Sequence, residues 1–304
     1  MNKISIDFSF NSFSFKNEWV KFIDMNFQYG VIKYEVDFDW FETKNIFDLQ
    51  HIETNHISIE LKDGGKILIQ NIKNSLPRLC FLGIAIESYN SIIFFLESKF
   101  TAEIVYGRVL ESIDNILQES DKIDSWRRKK RSIPNNIDIL PNPIYTNERE
   151  KEIISIESLP GHSHIMNYGD MLWFGSCWQM YFSSIYYKYI PKFLFDSFID
   201  CYEKKILENG LQKITLFEKV EDFDLPQNRA KQWAFRRALG IDSIAHELTK
   251  SMNRIEPKNL SVKITKENSL QGEIRVEIYK KDKIEIKEFL NDGITITYEQ
   301  TKFL

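Results

Sequence analysis

Apolar and polar residues alternate along the first part of the chain at a period of two, which is typical of β-strands. The pattern is clear at residues 4–10 and returns at 34–40 and 57–69. A Gly-Gly pair in the middle of segment 57–69 predicts a hairpin, because glycine readily adopts the positive φ angles of tight turns. Continuous apolar runs at 80–86 and 92–96 predict two further, more deeply buried strands.

The period changes at residues 103–119, where apolar positions recur on one helical face. A run of basic residues follows, and then prolines and asparagines, a composition typical of a linker. We therefore predict a β-rich domain over residues 1–124 that ends in a helix, a linker over 125–148, and an α+β domain over 149–304.

Twelve aromatic residues lie between Tyr168 and Phe198, so this stretch is expected at the centre of a core. It is apolar nearly all round over 171–188, which predicts a buried helix. Pro191 would open a second helix that runs to Gly210.

Further helices are predicted over 226–240, between a proline and a glycine, and from Asp242 to Lys250. Alternation returns from residue 274 and predicts strands to the end of the chain. The predicted fold class is α+β, with a mainly antiparallel N-terminal part, a helical segment over 170–250 and a C-terminal β-hairpin or meander.

Charge and cysteine content narrow the functional classes. The net charge is −4, and residues 1–120 carry 11 Lys and Arg against 17 Asp and Glu. This balance does not suit a general nucleic-acid binder, so no nucleic-acid partner is expected. Cys80, Cys177 and Cys201 are an odd number in apolar contexts, which favours reduced thiols and a cytoplasmic location. No secretory signal is visible, and no apolar run reaches the length of a membrane span.

Cys177 lies in the segment Gly-Ser-Cys-Trp at 175–178, which resembles the local pattern around the nucleophile of papain-like cysteine proteases. The cysteine that precedes this pattern in the family is absent here. The nearest downstream histidine, His246, is only 69 residues away. The alternative interpretation is that Cys177 is a small apolar residue buried between two tryptophans.

His162 and His164 form a His-x-His pair that could begin a metal site. No third or fourth ligand stands at a useful spacing, and histidines of a surface loop are the simpler interpretation. We predict neither a metal nor another cofactor.

Glu35, Asp37 and Asp39 are predicted to share one face of a strand. Such carboxylates could hold a divalent cation or take part in acid–base chemistry. Alternation alone also predicts them on the wet face of an antiparallel strand. A third interpretation is an acidic docking strip for a basic partner.

Arg229, Trp233 and Arg236 fall on one face of the predicted helix 226–240. Arginine and tryptophan are favoured as anchors of protein interfaces. In the alternative interpretation, the arginines pair with acids such as Glu221 and Asp222 while the tryptophan fills the core.

Several segments between residues 158 and 250 together resemble a block in the immunity proteins of bacterial polymorphic toxin systems, those of Rhs and contact-dependent inhibition toxins. The segments are WFGSCWQMYF at 173–182, YKYIPK at 187–192, PQNR at 226–229, FR at 235–236 and LGIDSIA at 239–245. The resemblance implies a cytoplasmic protein that binds one cognate toxin domain and neutralises it by occluding its active or substrate site. No functional residue carries over.

Two other functions stay open from the sequence. One is a hydrolase that uses Cys177 with a histidine, or a metal held by His162 and His164. The other is a phage-defence component or another interaction protein.

Overall fold

The computed structural model describes residues 3–12, 16–27, 31–36, 39–42, 55–71, 76–142, 152–165, 172–255, 261–265, 274–279, 283–289 and 296–303. The strands are β1 Lys3–Phe10, β2 Val31–Val36, β3 Asp39–Glu42, β4 His56–Leu61, β5 Lys66–Gln70, β6 Arg78–Ala85, β7 Ile104–Glu111, β8 Ile139–Pro141, β9 Glu152–Ile154, β10 His164–Ile165, β11 Trp173–Phe174, β12 Gln179–Phe182, β13 Glu203–Ile206, β14 Gln212–Thr215, β15 Ser261–Thr265, β16 Ile274–Tyr279, β17 Lys283–Phe289 and β18 Ile296–Phe303.

The helices are α1 Lys16–Phe27, α2 Tyr89–Lys99, α3 Ser112–Leu117, α4 Ile123–Arg128, α5 Lys192–Ser197, α6 Pro226–Leu239 and α7 Ile241–Ile255. Short 3-10 turns connect several of them, such as the turn at Ser184–Lys188. Within the ranges given above, no helix has both the length and the apolar character needed to cross a membrane.

A ten-stranded antiparallel sheet forms the body of the fold, in the order β13-β14-β12-β7-β1-β6-β5-β4-β2-β3. Strand β1 lies inside it between β6 and β7, and its residues from Ile4 to Phe10 are all buried. Both faces of the sheet are therefore covered here. This arrangement, with helices outside the sheet, confirms the predicted α+β class.

The predicted domain boundary at 125–148 is wrong. Strands β12, β13 and β14 come after it in the chain, yet they extend the same sheet through the pairing of β12 with β7. The chain instead divides into compact units over Met1–Ala245 and His246–Leu304. The second unit contains a four-stranded antiparallel sheet of β15 to β18.

The predicted linker contains ordered structure. Helix α4 buries Trp126 in a small core with Leu117, Ile154 and Leu159, and β8 pairs with β9. A single large aromatic side chain therefore ties the basic segment to the fold, whereas the charge pattern alone indicated an exposed connection. Residues 143–148 of the predicted linker lie outside the described residues.

Strands with a strict alternation were predicted correctly. The structure confirms β1 and the hairpin of β4 and β5, in which Gly64 has a φ of +80°. It also confirms the pairing of β16 with β17 near the C-terminus. In each case one periodic pattern coincides with one element.

Two apolar runs were assigned the wrong period. Segment 103–119 is strand β7 followed by the short helix α3, and segment 92–96 belongs to α2. Seven of the eight residues of β7 are buried, so its apolar pattern does not alternate. The carboxylate of Glu111 accepts hydrogen bonds from the backbone of Ile113 and Asp114 and so begins α3.

The predicted buried helix over 171–188 is also wrong. Its residues form β11, β12 and a 3-10 turn. A strand that is buried on both faces can be apolar all round, as a buried helix is, so the apolar pattern alone did not distinguish the two. The aromatic core was predicted correctly, since Trp173, Tyr181 and Tyr186 are fully buried.

The remaining helices of segment 170–250 were predicted with mixed success. Helix α5 ends at Ser197 and is followed by β13, so the predicted helix to Gly210 is wrong. Helices α6 and α7 are confirmed, and Gly240 ends α6 with a φ of +66°.

Candidate functional site

An open groove of about 360 Å³ lies between helix α2 and the strands at one end of the ten-stranded sheet. Strand β13 is the last strand of the sheet on this side. The groove is lined by Tyr89, Asn90, Ile93, Phe94, Glu97, Trp178, Gln179, Tyr202, Glu203, Lys213, Thr215 and Glu218.

Strand register brings the polar residues of the groove together. Thr215 of β14 pairs with Gln179 of β12 on one side and with Glu203 of β13 on the other. Two residues further along β14, Lys213 pairs with Tyr181. Since side chains alternate between the faces of a strand, all five side chains project from the face that α2 covers.

A hydrogen-bond network fixes the floor of the groove. Gln179 accepts a bond of 2.8 Å from the Tyr89 hydroxyl and donates one of 3.1 Å to Thr215 Oγ1. The Tyr181 hydroxyl lies 2.8 Å from Glu97 Oε1, and Lys213 Nζ lies 2.7 Å from the same oxygen. The floor is therefore rigid, and its buried polar groups are paired.

Burial also sets the protonation of the two phenols. It raises the pKa of Tyr89 and that of Tyr181 above the usual tyrosine range, and nearby Glu97 raises both further. Both hydroxyls are therefore neutral donors at physiological pH and hold the amide and carboxylate oxygens around them.

The walls of the groove are aromatic. The Trp178 indole is held by a hydrogen bond of 2.8 Å to the Phe217 carbonyl, and its ring centroid lies 5.2 Å from that of Tyr89. At the rim, Phe94 is 75% exposed and Tyr202 is 58% exposed. Large aromatic side chains are thus presented to solvent on a rigid support.

Sequence reasoning missed this groove. Its lining extends from residue 89 to residue 218, and the strand pairing of β12, β13 and β14 assembles it. The segment around Phe94 was assigned to a buried strand, which hid the exposed ring. No local motif identifies such a site.

The acidic strip of Glu35, Asp37 and Asp39 does not form as predicted. The chain turns back within this segment, so that Glu35 lies on β2 and Asp39 opens the antiparallel strand β3. Glu35 is only 9% exposed, which contradicts a wet face at this residue. Asp37 lies outside the described residues.

The predicted anchors Arg229 and Arg236 on α6 point inward. Arg229 donates from Nη1 to Asp114 Oδ1 at 2.7 Å and lies over the ring of Phe223. Its partner is therefore Asp114, and the pairing with Glu221 or Asp222 suggested by the sequence is wrong. At 3% exposure Arg229 is not a surface anchor.

Arg236 has the same internal role, whereas Trp233 is only half-buried. Arg236 is 3% exposed and donates to Asp242 Oδ1 at 2.5 Å and to the carbonyls of Glu157 and Leu159. Trp233 donates from its indole to the Ser158 carbonyl at 3.1 Å. These residues fasten α6 to the segment 157–159, so an interface role for Arg236 is corrected.

Cys177 is buried, with 2% exposure, and its thiol donates to the Gln179 carbonyl at 3.2 Å. Burial raises the pKa of the thiol to about 12. A cysteine nucleophile needs an accessible thiolate, which this environment opposes. The interpretation of Cys177 as a core residue agrees with the structure.

His162 and His164 lie close together, with ring centroids 4.8 Å apart. His162 Nδ1 lies 3.5 Å from Glu119, and His164 Nε2 lies 3.1 Å from Asp242 Oδ1. In the part of the chain described by the structure, no group of three or more His, Cys, Asp or Glu residues is arranged to hold a metal ion.

A second concavity, of about 550 Å³, lies between the loop 132–136 and α6. Arg229 borders it, and the Nε and Nη2 atoms of Arg229 have no hydrogen-bond partner among the described residues. Both atoms are completely buried, so a ligand in the concavity would not reach them.

Comparisons with models of protein families, with curated proteins and with solved structures found no match to this chain. The resemblance of segment 158–250 to immunity proteins rests on its sequence segments alone.

Proposed function

We propose that the protein is a cytoplasmic immunity protein, which binds one cognate toxin domain and neutralises it by occluding the active or substrate site of that domain. The observation that carries this proposal is the pair of exposed aromatic residues, Phe94 and Tyr202, on either side of the groove. The resemblance of segment 158–250 supplies the class of partner.

Exposed aromatic side chains on a rigid support are typical of binding surfaces. A few aromatic residues often contribute most of the binding energy of a protein interface, and a pre-organised surface loses little entropy on association. Phe94 projects from α2, while Tyr202 is held by its backbone N–H, which donates to the Thr215 carbonyl at 2.9 Å. The backbone that carries each anchor is therefore fixed before a partner arrives.

The groove also lies at an end of the sheet, where a partner has access. Ile206, at the end of β13, is 63% exposed, and Ile199 in the preceding segment is 84% exposed. Exposed apolar residues near one sheet edge favour contact with another protein. A hydrolase that uses Cys177 is disfavoured, because the thiol is buried and its pKa is raised.

The test uses the C-terminal domain encoded by the gene immediately upstream. Co-expression with this protein should restore growth of cells that the domain inhibits, and the purified pair should bind in titration calorimetry. The variant Phe94→Ala/Tyr202→Ala should weaken both effects. Phe193→Ala/Ile116→Ala is a matched control, because Phe193 and Ile116 are 65% and 51% exposed and do not line the groove.

If the upstream-encoded domain binds this protein and remains toxic in its presence, neutralisation is contradicted. Absence of binding to that domain would contradict the proposed partner and would favour another interaction protein, such as a phage-defence component. Equal effects of the two double variants would show that binding occurs on another surface.

A further inference from the structure

We infer that the groove beside α2 receives a positively charged side chain, an arginine or a lysine, from the protein partner. The identity of that partner rests on the proposed function, whereas the chemistry of the groove follows from its own residues.

The charge of the groove favours a cation. Its lining contains the three glutamates Glu97, Glu203 and Glu218 and one basic residue, Lys213, which gives a net charge of −2. Lys213 Nζ is already bound to Glu97 at 2.7 Å and is only 11% exposed. An anionic group entering the groove would therefore meet two further carboxylates and no available cation in its lining.

The carboxylates at the mouth remain available to an incoming cation. Glu203 is paired with Lys205, whose side chain is 57% exposed and lies outside the lining. Exposed ion pairs contribute little free energy, so a partner's cation can replace Lys205 at small cost. Among the described residues, Glu218 is exposed and forms no ion pair.

The aromatic walls add a second attraction for the same kind of group. Tyr89 and Trp178 meet at an angle of 54°, and Phe94 and Tyr202 stand at the rim. A cation within about 6 Å of an aromatic centroid is attracted by the ring, most strongly by tryptophan. The groove already contains one such contact, since Lys213 Nζ lies 5.7 Å from the centroid of Tyr181.

The arrangement of these groups fits a long basic side chain. The aromatic rings can cover its methylene stem, while the charged end reaches the carboxylates. A groove of about 360 Å³ has room for one such side chain and part of the backbone that carries it. A neutral aromatic occupant would use the rings and leave the carboxylates unused.

The first experiment uses small probes, so that it does not depend on the toxin domain. N-acetyl-arginine methylamide and its neutral analogue N-acetyl-citrulline methylamide are titrated into the protein at low salt and followed by TROSY NMR. The arginine probe should shift the amide resonances of Gln179, Thr215 and Glu218 and bind at least about tenfold more tightly than citrulline. Equal binding of the two probes, or shifts confined to other residues, would overturn the inference.

Substitutions of single glutamates then show which carboxylates of the groove bind the cation. Glu218→Gln should lower the affinity of the protein for the arginine probe by about two- to fivefold, the range expected for an exposed ion pair. Glu208→Gln is the control, because Glu208 is also exposed and does not line the groove. An unchanged affinity of Glu218→Gln together with an unchanged affinity of Glu203→Gln would exclude recognition by these carboxylates.

The second experiment uses the upstream-encoded domain and separates the two proposals. Both proposals are supported if this domain binds the protein and the groove variants Glu218→Gln and Tyr202→Ala lower the affinity. The control variants Glu208→Gln and Phe193→Ala should leave that affinity unchanged. Binding that is insensitive to the groove variants would overturn the inference and leave the immunity function intact. An arginine probe that binds while the domain does not would contradict only the proposed partner.

Discussion

The guanidinium of Arg229 on α6 and the carboxylate of Asp114 on α3 form an ion pair of 2.7 Å, with side chains only 3% and 1% exposed. Asp114 Oδ1 also accepts a bond of 2.8 Å from Gln118, whose own oxygen accepts from the backbone of Gly161. One buried carboxylate thus connects α3 and α6, and Gln118 extends the connection to the loop after β9.

Removal of the carboxylate should be strongly destabilising. Asp114→Ala leaves the Arg229 charge buried without its counter-ion, and breaking a buried pair in this way costs about 3–5 kcal/mol. The measurement is the free energy of unfolding from urea denaturation. The control is Asp124→Ala, which removes an exposed pair with Arg127 at 3.3 Å and should change the same quantity by less than about 1 kcal/mol.

Replacement of both partners provides a second test of this pair. Asp114→Leu/Arg229→Met removes both charges, so the double variant should be more stable than Asp114→Ala. A double variant that is less stable than Asp114→Ala would mean that packing, and not the unpaired charge, dominates the loss.

Asp7 should make stability depend on pH in the acid range. Burial would raise the pKa of this carboxyl, but the neighbouring Arg108 and Arg78 outweigh burial and lower it from 3.8 to about 2. A depressed folded-state pKa stabilises the fold above the unfolded-state value of 3.8, and this stabilisation is lost as the pH falls from 3.8 through 2. Its size is about 2 kcal/mol.

The measurement is the free energy of unfolding between pH 6 and pH 2, for the wild type and for Asp7→Asn. The variant should be less stable at pH 6, because two arginines lose their partner, and its stability should fall less steeply with acid. A carboxyl resonance of Asp7 that titrates at or above 3.8 would contradict the predicted shift.

Gly107 should be intolerant of any side chain. A Cβ atom at this position of β7 would overlap the ring of Phe8 on the neighbouring strand β1, and that ring also packs 4.9 Å from Tyr181. Overpacking of a buried site costs about 1–3 kcal/mol, so Gly107→Ala should lower the melting temperature. Because Phe8→Leu removes part of the overlapping ring, Gly107→Ala should destabilise a Phe8→Leu background less than the wild type.

The three thiols should differ in reactivity. Cys177 and Cys80 are buried, and burial raises the pKa of each thiol, while Cys201 is partly exposed. Iodoacetamide should therefore modify Cys201 first in the native protein and reach Cys177 only on unfolding, as judged by mass spectrometry of tryptic peptides. Rapid native modification of Cys177 at neutral pH would reopen the nucleophile hypothesis.

Local patterns were sufficient where apolar and polar residues alternate strictly, or where an element has a chemical signal at its ends. The hairpin of β4 and β5 follows from alternation and a Gly-Gly turn. Helix α6 follows from Pro226 at its start and Gly240 at its end. In both cases the decisive information lies within a few neighbouring residues.

Patterns failed where buried strands carry apolar residues toward both faces of the sheet without alternation. Strands β7 and β12 are almost wholly buried, so their apolar runs carry neither of the two periods. The charge pattern failed for a related reason. Glu35 and Arg229 were judged by residue type, whereas their burial depends on which distant segments cover them.

By itself, the sequence determined the α+β class, the aromatic centre of the core and the best-bounded strands and helices, because propensity, period and capping act over short distances. Only the tertiary structure decided that β12, β14 and β13 extend the N-terminal sheet. That pairing assembles the groove of Phe94, Trp178, Tyr202 and Glu218 from residues far apart in the chain. Such contacts depend on strand register between distant segments, which no local pattern contains.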